Sequence, residues 1–353
     1  MTVKPKPSFM RQTRRIVASV FMRLFPVVKS EGKFTLCLQT GTVRIAIIAQ
    51  EKLGDLILLT PLLRNLKRVY PQAEIHIVGL SSVSRFFEND PLVTEVHLPK
   101  ENYWRYFRRI FQYRFDLLFS PKDHPSTNAL LHISLIRSRY KLGIDHPGHR
   151  NFFHHMIQTK PYEHIIRKNC AALDFLNIPY TDRDCRPYLP ERDIAPEISR
   201  FVNEINDKNI IGVNLSAGKP NCEWSPDRWR KVIDTIKLRV VIFSMPDKAD
   251  TKRNLEKSCP NVIPSPPTPS LYDAGKITSC LRLLISPDTS LIHVASAYRV
   301  PTVALYRADP VSYNCFYPFD IEHIKLISPS MHVNDISPEQ VIDSVRQLLK
   351  EEI

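Results

Sequence analysis

The chain has 353 residues, enough for two domains of ordinary size and too many for one compact core. With 43% hydrophobic and 24% charged residues it has the composition of a globular protein, which excludes a disordered or fibrous chain. The formal charge of +13 favours anionic partners such as phospholipid headgroups or phosphorylated substrates. Nucleic acid is set aside, since no zinc-finger spacing, RNA-binding aromatic signature or helix-turn-helix accompanies that charge.

Residues 1–30 hold Lys4, Lys6, Arg11, Arg14, Arg15, Arg23 and Lys29, and no acidic residue. On a helical wheel Ile16, Val17, Val20, Phe21 and Leu24 gather on one side, with Arg11 and Arg15 opposite. Arg23 and Pro26 break the apolar run at 16–28, so it cannot span a bilayer, and it has no small-residue cleavage site. The pattern predicts a basic amphipathic leader over residues 1–40, lying on the anionic inner face of the inner membrane. Seven scattered cysteines (Cys37, Cys170, Cys185, Cys222, Cys259, Cys280 and Cys315), never in a C-x-x-C pair, predict reduced, buried thiols in a cytoplasmic protein. Only 9 glycines occur, so each is expected to answer a backbone need.

From residue 43 the pattern is α/β. Strands are predicted at 44–49, 74–78, 93–98 and 115–119. Helices are predicted at 56–70, with Pro61 marking a restart and Thr60 as its cap, and at 83–89, 127–137 and 164–176. Residues 186–207 are expected to link this domain, 41–185, to a second one over 208–353. In the second, strands at 210–215, 240–243, 283–286 and 302–306 alternate with helices at 226–237, 247–257, 270–282, 289–298 and 338–350. The final helix is expected to be able to pack back on the first domain. Two such units predict paired Rossmann-like domains facing each other across a cleft.

Three segments can carry chemistry. The first strand leads into Gln50-Glu-Lys-Leu-Gly-Asp55, where Gly54 allows a tight turn and Asp55 opens a helix. Asp55 is then either a plain helix cap, the commoner arrangement, or a general base for an acceptor hydroxyl. In Ser286-Pro-Asp-Thr-Ser-Leu-Ile-His293, the amides of Thr289, Ser290 and Leu291 at a helix start, with two hydroxyls, suit a diphosphate. Asp288 could cap that helix or meet a ribose, and His293 one turn in reads as a packed helix residue unless it reaches the donor. The third segment, Asn214-Leu-Ser-Ala-Gly-Lys219, brings Ser216 and Lys219 to a strand end where a phosphate can be held. Asp182-Arg-Asp184 spells D-x-D, but in the linker region it reads as solvated charge. No His/Cys metal cluster is evident, so no metal is expected.

The order of Gly54-Asp55, Trp224-Ser-Pro-Asp-Arg-Trp229 and Asp288-Thr-Ser-Leu-Ile-His-Val-Ala-Ser-Ala297, with Lys141-Leu-Gly-Ile-Asp145 and Val300-Pro-Thr302 as lesser matches, resembles glycosyltransferase family 9, the ADP-heptose:lipopolysaccharide heptosyltransferases. The likeness runs over roughly residues 43–350. It implies a GT-B architecture and inverting, metal-independent transfer of a heptose from an ADP-sugar to the phosphorylated inner core of lipopolysaccharide, on a lipid A–Kdo acceptor. Asp55 becomes the general base, with Ser216, Lys219, Asp288, Thr289, Ser290, Leu291 and His293 on the donor side. Lys52, Lys122, Arg137, Arg139 and Lys141 are candidate acceptor-side cations. No cofactor is implied beyond the nucleotide-sugar co-substrate. The chain departs from the family at Ser290, where glycine is usual, at Cys222, where lysine is common, and at Ser244-Met245, where a glycine pair stands. Another nucleotide sugar, or a catalytically silent GT-B protein binding anionic glycolipid, are the alternatives.

Overall fold

The computed structural model describes residues 42–205 and 209–350, together with Ile16 and Val20. The predicted leader otherwise lies outside the described residues, as does Cys37. Among the described residues no helix is long and apolar enough to cross a membrane. The chain divides into two compact units. One runs to Pro161 and resumes over Ile166–Cys185; the other comprises Tyr162–Ile165 and everything from Arg186 onward.

The first unit is built on six strands: β1 (Arg44–Ala49), β2 (Glu74–Gly79), β3 (Glu95–His97), β4 (Phe115–Ser120), β5 (Ser138–Ile144) and β6 (His155–Ile157), in the order β3-β2-β1-β4-β5-β6. Every pairing is parallel. Ile45 to Ala49 are wholly buried, because a central parallel strand is covered on both faces and has no solvent side to alternate with. The predicted helix 56–70 is in fact two, Leu53–Ile57 and Thr60–Val69. Leu59 rather than Thr60 caps the second, and the Thr60 hydroxyl instead donates to the Ile57 carbonyl, 2.7 Å, binding the break together. The expected short helix at 83–89 is a 3-10 segment, Ser82–Phe87.

The second unit has five parallel strands, β7 (Ile210–Asn214), β8 (Arg239–Phe243), β9 (Leu283–Pro287), β10 (Thr302–Tyr306) and β11 (His323–Ile327), ordered β11-β10-β9-β7-β8. Trp224 and Trp229 meet edge to face at 4.7 Å inside its core, and Trp224 Nε1 donates to the Ile336 carbonyl at 3.0 Å. The tryptophan pair of the sequence motif is therefore packing. Val341, Ile342, Val345 and Leu349 of the final helix, Pro338–Leu349, are buried in the same core. Within the stretch expected as linker, Pro196–Glu204 forms a helix.

The few glycines do not serve positive-φ turns: no described glycine has one. Gly54 lies inside the helix Leu53–Ile57, so the tight-turn expectation does not hold. Gly143 shows the actual need, since a Cβ there would sit 2.7 Å from the Phe153 ring. The six described cysteines are free and buried, as expected.

Both sheets share one topological device. β1 has β2 on one side and the later β4 on the other; β7 has β8 on one side and β9 on the other. Such reversals open a crevice at the carboxyl ends of the strands, where α/β proteins bind ligands.

Candidate functional site

At the first reversal, the loop after β1 brings in Glu51, Lys52 and Asp55, and the loop after β4 brings in Lys122, Asp123 and His124. Asp55 is the third residue of its short helix. Lys52 occupies the cap position, and no side chain caps that helix, so the plain-cap reading fails. The half-buried Asp55 carboxyl accepts no hydrogen bond from a described residue. Burial raises its pKa from the ordinary 3.8 to about 6, against the opposing pull of Lys52 and Lys122. That is the profile of a base poised to take a proton.

Its neighbours are held firmly. Lys168 Nζ donates to Asp123 Oδ2 at 2.6 Å, and His124 Nδ1 lies 3.1 Å from Asp123 Oδ1. The His124 contact, followed by Lys168, keeps the Asp123 carboxyl far below the usual carboxylate range. Lys122 is buried, with Nζ 3.6 Å from Glu51 Oε1. Asn169 donates to the Leu58 carbonyl at 2.7 Å, fixing the segment that carries Asp55.

Lys52 and Lys122 thus gather at Asp55, whereas the other acceptor-side candidates do not. Arg137 precedes β5 and Arg139 stands near its amino end, the edge opposite the carboxyl end of β1. Arg137 lies over the Phe111 ring at 6.0 Å and Arg139 over Tyr140 at 5.3 Å. Lys141 is buried, and its ammonium donates to the Ile133 carbonyl at 2.6 Å, near the end of the helix Thr127–Leu135. Burial brings its pKa down to about 8.

At the second reversal Asn214 ends β7, and its Nδ2 donates to Ser286 Oγ (2.9 Å) and Thr289 Oγ1 (3.1 Å). Asn214 Oδ1 accepts from the Ser216 amide, and Ser216 Oγ from the Met245 amide at 2.7 Å. Thr289, not Asp288, caps the helix Ser290–Tyr298 by accepting from the Leu291 amide at 3.3 Å. This corrects the expected donor set: the Leu291 amide and the Thr289 hydroxyl are already engaged. The amides of Thr289 and Ser290 and the Ser290 hydroxyl remain at the positive end of the helix dipole. His293 is sealed in the helix, its Nδ1 without a partner and its pKa brought down to about 4 by burial, so it is a neutral packed residue. Lys219 is exposed in the loop after β7.

Two groups here were missed from sequence. Asn214 stood inside a quoted motif without a role. Arg307, directly after β10, pairs with Asp309 through Nη2 while its buried Nε has no partner. The Cys222 thiol, pushed up chiefly by burial, also feels the charges of Arg307, Asp288, Lys219 and Asp309. An arginine directly after a buried strand is the signal that could have found it.

The fold also assembles what the sequence hid. His76, Glu95 and His97 offer ligand atoms within 4.8 Å of one another, so the expectation that no such cluster exists is overturned. Most of their ligand atoms are nonetheless committed to each other and to neighbours, while the buried His76 Nε2 has no hydrogen-bond partner among the described residues. His76 Nδ1 meets His97 Nε2 at 3.0 Å, and Glu95 accepts from Arg109 at 2.9 Å and from the Tyr113 hydroxyl at 2.8 Å. Burial lowers both imidazole pKa values, that of His97 to about 4. In the linker region, Asp182 pairs with Arg167 and Asp184 accepts from the Thr181 amide and hydroxyl, so the D-x-D is local structure.

Two Rossmann-like units, one with a poised carboxyl and one with a helix start and cations suited to phosphate, have the build of a GT-B glycosyltransferase. Solved structures share the fold. The glycosyl transferase family 9 protein from Veillonella parvula matches with a TM-score of 0.67 at 21% identity, covering 87% of this chain and 97% of that one. Escherichia coli heptosyltransferase WaaC with ADP matches with a TM-score of 0.66 at 15% identity, covering 88% and 99%. In sequence, the chain is 25% identical over 321 residues to "Putative lipopolysaccharide heptosyltransferase 4" of E. coli K12, 84% of either chain. Residues 103–323 match glycosyltransferase family 9 (heptosyltransferase), well over half of the chain, and the chain belongs to that family. It is a glycosyltransferase.

Proposed function

We propose that the chain transfers a heptose from ADP-heptose to the phosphorylated inner core of lipopolysaccharide, with inversion and without a metal, at the inner face of the inner membrane. The observation that carries this reading is Asp55: a half-buried carboxyl at a topological reversal, raised to about 6 and accepting no hydrogen bond from a described residue. The carboxylate takes the proton of the acceptor hydroxyl as that oxygen attacks the anomeric carbon from the side opposite the leaving diphosphate. The departing group is already a stable anion, so one base suffices and no second carboxylic acid is needed. The amides of Thr289 and Ser290, with Lys219 and Arg307, meet the charge that grows on the phosphate. Lys52 and Lys122 suit a phosphorylated acceptor beside the base. The names of the relatives support the sugar and the acceptor: a lipopolysaccharide heptosyltransferase 3 from E. coli is also 22% identical over 290 residues. The basic leader, outside the described residues, supports the membrane location.

Purified protein given ADP-heptose and heptose-deficient lipopolysaccharide tests the reading. Asp55→Asn should lower turnover by about 10²–10⁴-fold while ADP binding is retained. ADP binding with no turnover by the unaltered protein would instead mark a silent binder, and turnover with a different nucleotide sugar would reassign the donor.

A further inference from the structure

The helix Tyr103–Ile110 and the turn after it carry an aromatic stripe whose inner ring, Phe107, rests on the core while its outer rings face solvent. Trp104 is 88% exposed, and Tyr103 and Phe111 are each 42% exposed. At 100° per residue Tyr103, Phe107, Phe111 and Trp104 follow one another around a single side of the helix. The rings make a continuous array, with Tyr103 stacked on Phe107 (6.2 Å between centroids) and Phe107 on Phe111 (5.7 Å). A contiguous exposed aromatic patch rimmed by polar residues marks an interaction surface, which a lone exposed ring does not.

The same helix is fastened on its other side. Tyr106 and Ile110 are buried, the Tyr106 hydroxyl meets His132 Nδ1 at 3.1 Å, and Arg109 binds Glu95. The buried His76–His97 pair lies behind it, with Tyr106 edge-on to His97 and Tyr113 against His76. Asn102 caps the first turn through the Arg105 amide. The stripe is thus presented by a rigid element.

Cations border the stripe. Arg105 and Arg108 lie next to Trp104 in sequence and one turn on, Lys100 and Arg114 are exposed just before and after the helix, and the exposed Arg137 lies over the Phe111 ring. None of these five forms an ion pair with a described residue. Glu101, the acidic residue in this stretch, is held by Arg85. Amphipathic aromatic rings flanked by arginines match the bilayer interface, where rings settle at headgroup depth and guanidinium groups reach the phosphates.

We infer that this face of the first unit is a membrane-docking surface that seats on anionic phospholipid, with Trp104 and Phe111 entering the interface and Arg105, Arg108 and Arg137 meeting headgroups. The inference goes beyond the leader and does not depend on which sugar is transferred.

The protein supplies its own reporter. Of its three tryptophans, Trp224 and Trp229 are 3% and 1% exposed, so a change in emission on adding lipid reads Trp104. The full chain is mixed with phosphatidylethanolamine–phosphatidylglycerol vesicles, with pure phosphatidylcholine vesicles as the uncharged control. The expected result is a blue shift and quenching by bromine-labelled acyl chains on the anionic vesicles, both lost in Trp104→Phe while co-sedimentation persists. Arg105→Gln with Arg108→Gln should weaken vesicle binding about thirty-fold. Vesicle binding with Trp104 emission unshifted and unquenched would assign docking to another part of the chain and overturn the inference. So would equal binding to the uncharged vesicles, or a lipid-free protein whose self-association is abolished by the arginine variants. The readout is lipid contact rather than turnover, so it stands or falls separately from the proposed reaction.

Discussion

Asp55 shows how one side chain can be made useful at a cost to the fold. Its carboxyl titrates near 6 in the folded chain and near 3.8 in the unfolded one, so between those values the folded state binds the proton more tightly. Its contribution to stability therefore falls as pH rises through that window and is unfavourable at neutral pH. Asp55→Asn should stabilise the protein by about 1 kcal/mol at pH 7.5, allowing for partial exposure, and the gain should vanish near pH 4 in paired denaturant titrations. On the proposed reading of Asp55 as the base, kcat/KM should show an acid limb near pH 6, and Lys122→Met, removing a charge that pulls that value down, should move the limb upward. Lys141 makes the contrasting case. Its ammonium is depressed from 10.5 to about 8, so the unfolded chain holds the proton that the fold gives up, and its contribution to stability rises with pH across that window. Lys141→Met should change stability at pH 7 by no more than about 1 kcal/mol and leave the acceptor KM untouched. A raised KM would restore it to the acceptor site.

The elements that could be read from sequence were those whose burial is one-sided or complete. β1 and β10 stand where the apolar runs put them, since a strand covered on both faces writes an unbroken hydrophobic word. β5 begins Ser-Arg-Tyr-Lys, and β11 and β6 are half-buried edge strands with no such run, so none of the three was seen. The helix Tyr103–Ile110 escaped because arginines and aromatic rings replace its leucines. The site was legible to the extent that Asp55, Lys122 and Thr289 follow strand ends. The roles of Asn214 and Arg307 depend on neighbours 72 to 75 residues away or on an adjacent strand, which spacing along the chain does not encode. The turn they build is itself testable. Asn214→Ala leaves the Ser286 and Thr289 hydroxyls without their donor, and Arg307→Met removes the cation. Arg307→Met should weaken ADP binding about tenfold by calorimetry, an ordinary effect for a hydrogen bond to a charged group, and Asn214→Ala should weaken it about fivefold by loosening the helix start.

For the whole molecule, the proposed reading puts the nucleotide on the second unit, which it should then stabilise first. ADP at a hundred times its dissociation constant should add about 2.7 kcal/mol to the species that binds it. The thermal transition carrying the Trp224 and Trp229 signal should then rise with ADP, while changes confined to the first unit, such as Lys141→Met, leave the increment unaltered. An equal increment in a variant lacking Arg307 would remove that residue from the donor site.

The route of the chain sets one practical rule. It leaves the first unit after Pro161, returns at Ile166 and leaves again after Cys185. A nick at 161 therefore cannot release an intact first half, since it forfeits Lys168 and Asn169, which brace Asp123 and the Leu58 turn. Chimeras that graft a relative's sugar-nucleotide half onto this one need three matched seams, with the tetrapeptide 162–165 travelling alongside the later half. Hybrids joined only at 185 would inherit a foreign insert in an otherwise native scaffold.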